Sequence, residues 1–330
     1  MNNLDFSAGI ELLENSKNIL LTTHLLPDGD AIGSALALYN FAKNIDANKN
    51  IHIIICESKC PEKYRFLADS DKIEKYNSAK HDNIISTVDA IFVLDCGQLL
   101  RVKTMGEAIK NSSAKKVLID HHIEPENFVD LIFSNPKAVA TGEMIYYFIK
   151  QATGEISKEI AEAIYAAIYT DSGGFRFPST TSEIHRIVAE LLDCGANPDY
   201  IYENIYNQNS LARMELKGFA TSNIEYFRDG KIAIVCITKE VFKKTKTTNV
   251  DAEDLSQIAL SVRGVLVSIL LIEAEETGEI KVSLRSKDEI NVREIAAKYG
   301  GGGHKNASGC RLKNTNIVEA KMKIIEEFTS

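Results

Sequence analysis

No stretch of the 330-residue chain stays apolar for the ~18 residues that a membrane-crossing helix needs; the run around Val265–Ile272 has the length of a strand. Cysteine is sparse and scattered: six residues, at positions 56, 60, 96, 194, 236 and 310, with no second pair at zinc-ribbon spacing. That pattern argues against a disulfide scaffold and a structural zinc site, and the cysteines read as small apolar residues in a reducing compartment. Basic charge is in deficit, since 38 Lys and Arg face 46 Asp and Glu and leave a net charge of −8. A broad cationic face for long duplex nucleic acid is therefore not expected, and a polyanionic ligand should be short or held through metal ions. The first fifteen residues carry no basic segment followed by an apolar core, so no signal peptide is expected. Internal repeats and low-complexity tracts are lacking too. Against these absences stand an ordinary 45% hydrophobic and 25% charged composition. The expectation is a cytoplasmic globular protein of about two domains, without membrane attachment.

The first half of the chain repeats one motif, a short apolar run that ends abruptly on a polar side chain. Asn18–Thr23 runs into His24, Ile51–Cys56 into Glu57, Ala90–Leu94 into Asp95, and Lys116–Ile119 into Asp120. Non-alternating β-branched runs predict strands covered on both faces, hence a parallel sheet with helices between the strands. Segments 31–43 and 84–88 have helical spacing. In such sheets ligands bind beyond the carboxyl ends of the strands, where these polar residues fall. Helical spacing then dominates over 141–151, 158–169 and 182–194, the last stopping at Gly195 with Pro198 beyond. The predicted division is a catalytic domain over 1–195, a helical connector over 196–228 and a smaller α/β domain over 229–330. Strands are expected near 231–237, 264–272 and 279–285, with helices at 292–299 and 316–328.

The densest chemistry lies in His24-Leu-Leu-Pro-Asp28-Gly-Asp30, one imidazole and two carboxylates on a strand-to-helix turn. Asp95, the run Asp120-His121-His122, and Asp171 end three further elements. Each acid alone has an ordinary structural reading; Asp28 or Asp30, for instance, suits the N-cap of the helix that follows. Their recurrence at successive element ends favours a common site. Oxygen donors with some imidazole and no thiolate suit Mn²⁺, Mg²⁺, Fe²⁺ or Co²⁺. So many carboxylates stay ionised together only beside cations, which argues for two ions and for phosphoester or phosphoanhydride hydrolysis.

These motifs, together with Gly300-Gly-Gly-Gly-His304-Lys-Asn-Ala-Ser308-Gly309, resemble in order the signatures of the DHH phosphoesterase family and its DHHA1 domain. Chain length and the lack of extra domains are most similar to the stand-alone nanoRNase and pAp-phosphatase (NrnA-type) branch. The resemblance implies an N-terminal parallel-sheet DHH domain with flanking helices, a helical connector, a C-terminal α/β DHHA1 domain, and an active site in the cleft between domains. It implies that His24, Asp28 and Asp95 hold one ion, and that Asp30, His121 and Asp171 hold another, with Asp95 shared. Asp120 would orient His121, and His122 would contact the phosphate or protonate the leaving oxygen. Arg101, Arg285, Gly301, Gly302, Gly303 and His304 would bind substrate.

The implied cofactors are two divalent ions, Mn²⁺ first among the four. The implied reaction is hydrolysis of short single-stranded RNA and dinucleotides to nucleoside 5′-monophosphates, with 3′-phosphatase activity on 3′-phosphoadenosine 5′-phosphate (pAp). Long duplex is not an expected partner, and a homodimer stays open. Two rival readings stand beside this one. The first is a phosphodiesterase of a cyclic-dinucleotide pathway acting on cyclic di-AMP, pApA or pGpG; the second is a nucleotide-binding regulator that keeps the fold without the chemistry.

Overall fold

The computed structural model describes residues 4–56, 59–123, 125–252, 254–274, 278–287 and 289–328. The chain divides into two units, Met1–Gln208 and Asn209–Ser330. The first is a doubly wound α/β layer structure. Its strands are β1 (Asn18–Thr22), β2 (Asn50–Ile55), β3 (Ile73–Lys75), β4 (Ala90–Leu94), β5 (Lys115–Asp120) and β6 (Leu131–Ser134). They lie in the order β3-β2-β1-β4-β5-β6, and every pairing is parallel. Its helices are α1 (Ser7–Asn15), α2 (Gly29–Ile45), α3 (Ser78–Thr87), α4 (Met105–Asn111), α5 (Thr141–Ala152), α6 (Lys158–Asp171), α7 (Ser182–Asp193) and α8 (Pro198–Tyr206).

The apolar runs explain the sheet. All of Ala90–Leu94 is buried, as are Ile19–Leu21 and Ile53–Ile55, because helices cover both faces. Crossovers leave β1 for one side of the sheet and β4 for the other, so a crevice opens at the carboxyl ends of these two neighbours. β3 and β6, three and four residues long, carry too few apolar residues to stand out as runs, and the sequence reading passed over both.

Small residues bring three helices together over that crevice. A Cβ on Gly33 of α2 would lie 2.4 Å from the Ala163 carbonyl oxygen of α6, and one on Gly142 of α5 would lie 2.5 Å from Ala167 Cβ of α6. Contacts this close need glycine, and they fix the register in which α2, α5 and α6 meet. Elsewhere in the unit Lys49, 3% exposed, turns inward, and its Nζ donates to the carbonyls of Leu13, Glu14 and Ser16 at 2.9, 2.8 and 2.6 Å. An ammonium thus satisfies the otherwise orphaned carbonyls where α1 ends.

The second unit is a six-stranded mixed sheet made of β7 (Glu225–Phe227), β8 (Ile232–Ile237), β9 (Val267–Glu273), β10 (Ile280–Ser286), β11 (Gly302–His304) and β12 (Ala307–Leu312). Their order is β11-β12-β10-β9-β8-β7. The helices are α9 (Leu211–Ser222), α10 (Lys239–Thr245), α11 (Leu255–Leu260), α12 (Val292–Lys298) and α13 (Ile317–Glu326). Alternation along β10 sends Ile280, Val282 and Leu284 into one core and leaves Arg285 on the opposite face. The glycine run, which the family resemblance makes substrate-binding, continues into a hairpin arm: Gly302, Gly303 and His304 pair with Gly309, Ser308 and Ala307. A Cβ on Gly301 would lie 2.2 Å from the Gly309 carbonyl oxygen, so glycine is what lets the backbones close there. Residues 196–228 contribute α8 to the first unit and α9 with β7 to the second.

Candidate metal centre

The crevice beyond β1 and β4 gathers three imidazoles and four carboxylates, those of His24, His121, His122, Asp28, Asp30, Asp95 and Asp171. Among the described residues, three sets present donor atoms within 4.8 Å of one another: His24, Asp28 and Asp95; Asp30, His121 and Asp171; and Asp95, His121 and His122. Each side chain arrives for a local reason. His24 leaves the end of β1, and Asp95 the end of β4 in a left-handed backbone conformation with φ of 54°. Asp28 is the N-cap of α2, its Oδ1 accepting from the N–H groups of Asp30 and Ala31 at 3.1 Å each. The structural reading of Asp28 as a cap and its membership of a donor set therefore both hold. Asp30 stands in the first turn of α2, and Asp171 is the last residue of α6.

Asp95 faces both principal sets. Its Oδ2 lies 3.4 Å from His24 Nε2, and its Oδ1 lies 3.7 Å from His121 Nε2. His121 Nε2 also lies 3.4 Å from Asp171 Oδ2 and 3.7 Å from Asp30 Oδ2. The tautomers suit ligation. His24 Nδ1 is 2.7 Å from the Leu25 carbonyl oxygen and His121 Nδ1 is 3.2 Å from that of Ala138, so each Nδ1 donates to a backbone carbonyl and each Nε2 is the nitrogen left to face the carboxylates and an ion between them.

Asp120 departs from the expectation. Its Oδ1 takes His122 Nδ1 at 2.7 Å and the His122 backbone N–H at 3.2 Å, so this carboxylate orients His122 rather than His121. The reason is local: Asp120 ends β5, and an Asx-type turn returns its side chain to the residue two positions on. Among the described residues its Oδ2 has no hydrogen-bond partner, and it lies 2.4 Å from where a Cβ on Gly97 would stand.

The charges in this crevice are under strain. Burial, then repulsion from Asp95, Asp171 and Asp28, holds the Asp30 carboxyl well above its ordinary range. Burial pushes Asp171 up to about 7, with relief from His121 offset by the negative charges of Asp28 and Asp95. At Asp95 burial is outweighed by the His24 hydrogen bond and by the charges of His24, His121 and His122, and the net direction is down. Burial pulls the His24 and His122 imidazoles down, but Asp95 in the one case and Asp120 in the other reverse the shift. Oxygen and imidazole donors, Nε2 atoms facing the carboxylates, and Asp30 and Asp171 carboxyls raised by burial and then by neighbouring negative charge together fit divalent cations.

Arg101 lies close enough for its charge to depress both His24 and His122, and its carbonyl accepts from the Leu25 N–H at 2.9 Å. Arg285, Gly301, Gly302, Gly303 and His304 belong to the second unit, where the sheet brings them near each other. Arg285 pairs in register with Ala307, and Ala307 with His304. Burial lowers the pKa of Arg285, whose Nη1 donates to the Leu284 carbonyl at 3.0 Å. Sequence reasoning missed Ser34, Thr141 and Gly142, all of which hydrogen-bond the Asp30 carboxylate. The one available signal was the start of a helical pattern at Thr141, which marks a helix end without saying what that end faces.

Residues 18–168 match the sequence profile of the DHH family, N-terminal domain, and residues 229–330 match that of the DHHA1 domain. The chain is similar to a bifunctional oligoribonuclease and PAP phosphatase NrnA from Thermus thermophilus, 30% identical over 93% of this chain and 88% of that one. It is 28% identical to the NrnA of the same description from Bacillus subtilis, over 89% of each chain. Among solved structures, an exopolyphosphatase-related protein from Bacteroides fragilis superposes with a TM-score of 0.91 at 34% identity, over 98% of this chain and 94% of the other. Family likeness that runs through both units, in order and over nearly the full length of these relatives, makes this chain a member of the DHH phosphoesterase family and a hydrolase.

Proposed function

We propose that the chain is a two-metal phosphodiesterase that hydrolyses short RNA oligonucleotides and dinucleotides to nucleoside 5′-monophosphates and removes the 3′-phosphate of pAp. The observation that carries this reading is the double-faced Asp95, one oxygen toward His24 and the other toward His121. It joins the set His24, Asp28 and Asp95 to the set Asp30, His121 and Asp171 as neighbouring holders of two divalent ions, Mn²⁺ first among the candidates. Bound there, the ions supply charge neutralisation at the phosphoryl oxygens and a strong oxygen nucleophile near neutral pH.

The protein's own groups do the rest. Asp120 engages His122 Nδ1, which leaves Nε2 as the nitrogen that donates a proton to the leaving oxygen. The raised pKa of His122 keeps a larger share of that imidazole protonated at neutral pH. Arg101 contributes positive charge beside the imidazoles. In the second unit, Arg285 and the Gly301–His304 hairpin arm are the phosphate-recognising elements, with planar guanidinium and Cβ-free backbone suited to an anion. The net charge of −8 accords with short substrates, since a processive enzyme on long strands needs an extended cationic track.

The names of the Thermus thermophilus and Bacillus subtilis relatives support the choice of oligoribonucleotide and pAp. The deciding experiment measures turnover of a 5-mer RNA, pApA, pAp and cyclic di-AMP by the Mn²⁺-loaded protein. Fastest turnover is expected on the linear substrates and pAp. Preferential turnover of cyclic di-AMP would assign the enzyme to a cyclic-dinucleotide pathway instead.

A further inference from the structure

Helix α5 begins where the two principal donor sets meet. Its first residue, Thr141, is fully buried and spends both of its donors on carboxylates from other elements. The Thr141 N–H donates to Asp30 Oδ2 at 2.7 Å, and its hydroxyl donates to Asp95 Oδ1 at 3.1 Å. The next N–H, that of Gly142, donates to Asp30 Oδ1 at 2.8 Å. Amides in the first turn of a helix have no acceptor of their own, and the positive end of the helix dipole favours an anion. A threonine that served only its own helix would turn its hydroxyl to a neighbouring N–H. Here the hydroxyl crosses to β4's aspartate instead, and the N-cap position is held by Ala140, which makes no side-chain cap.

We propose that Thr141 is a positioning residue of the metal centre: by gripping Asp30 with its amide and Asp95 with its hydroxyl, it sets the spacing between Asp30, a member of one donor set, and Asp95, which faces both. The inference rests on the metal reading above. Without the hydroxyl, Asp95 Oδ1 still faces the imidazoles, His122 Nδ1 at 3.4 Å and His121 Nε2 at 3.7 Å. The carboxylate then swings toward the imidazoles, and metal binding has to pull it back. Gly142 permits the arrangement, because a Cβ there would press on Ala167 at 2.5 Å and approach Asp30 Oδ1 at 3.4 Å.

The test compares Thr141→Ser with Thr141→Ala, which both lose the methyl group and differ only in the hydroxyl, and adds the isosteric Thr141→Val. Each full-length protein is stripped with chelator and titrated with Mn²⁺ by calorimetry, with metal-free melting recorded alongside. The expected result is Mn²⁺ affinity about 10–100-fold weaker for Ala and Val. Ser should bind within a few-fold of wild type. Metal-free melting should be slightly lower for Ala than for Ser, since a buried carboxylate loses one donor, and excess Mn²⁺ should restore part of the lost turnover in Ala. Equal Mn²⁺ affinity for Ser and Ala overturns the proposal, as does an Ala variant that binds Mn²⁺ like wild type. If the affinity difference appears but wild type turns over no nucleotide, the substrate reading falls and the positioning role stands. A wild-type protein that binds no Mn²⁺ sinks both.

Discussion

Asp171→Asn should stabilise the protein without metal and weaken it with metal. Asp171 titrates at about 7 rather than 3.8, chiefly because of burial, and its side chain is 32% exposed. Keeping such a carboxyl ionised in the fold costs about 4 kcal/mol relative to the unfolded chain, at roughly 1.4 kcal/mol per pH unit. Solvent access and proton sharing with Asp30 reduce this to about 2 kcal/mol. The folded state holds this proton more tightly than the unfolded chain does. The associated stability is therefore full below about 3.8 and lost as pH rises through about 7. His24 and His122, also raised, act in the same direction, their contribution present below 6.5 and lost as pH rises through their folded values.

With chelator at pH 8, Asp171→Asn should thus melt roughly 4–8 °C above wild type, taking ~2–4 °C per kcal/mol for a unit of this size. At pH 5.5, about midway between the unfolded and folded values, the gain should shrink to roughly half, and only below about 3.8 should it vanish. Saturating Mn²⁺ reverses the order, because wild type gains about 2.7 kcal/mol at a hundredfold excess over Kd and the variant loses a donor from one set. Differential scanning calorimetry at both pH values, with and without Mn²⁺, reads all four conditions. A variant that melts below wild type in chelator at pH 8, or that keeps the full Mn²⁺ gain, refutes the reasoning.

Other substitutions separate structure from chemistry. His122→Gln should lower kcat by about 10²–10⁴ while dinucleotide affinity, followed by calorimetry, changes only a few-fold. Arg285→Ala should raise KM for substrates with a terminal phosphate with little change in kcat, and Arg285→Lys should restore only part of it because a lysine cannot make the bidentate contact. Lys49→Met removes the donor to three carbonyls at the end of α1 and should cost about 2–3 kcal/mol in urea unfolding, while folded protein keeps its specific activity. Gly33→Ala drives a methyl into the Ala163 carbonyl and should cost about 1–3 kcal/mol, weakening Mn²⁺ binding as α2 moves off α6.

The parallel sheet of the first unit was legible in the residues alone, because strands covered on both faces read as near-continuous apolar runs, and 90–94 and 116–119 are short, β-branched runs of that kind. The sequence also marked His24, Asp28, Asp30, Asp95, His121 and Asp171, since these polar residues stand at the ends of strands, on the turn into α2 or at the end of a helical pattern. Tertiary structure alone decided the rest. β3 and β6 exist through pairing with β2 and β5, which no local pattern records. Asp120 chose His122 over His121 through the geometry of one turn. Thr141 and Gly142 became partners of Asp30 only when α5 closed on α6 across Ala167, a contact between residues far apart in the chain. Periodicity reports which face of an element is apolar; what a helix end or a carboxylate faces depends on packing with elements that the local sequence does not encode.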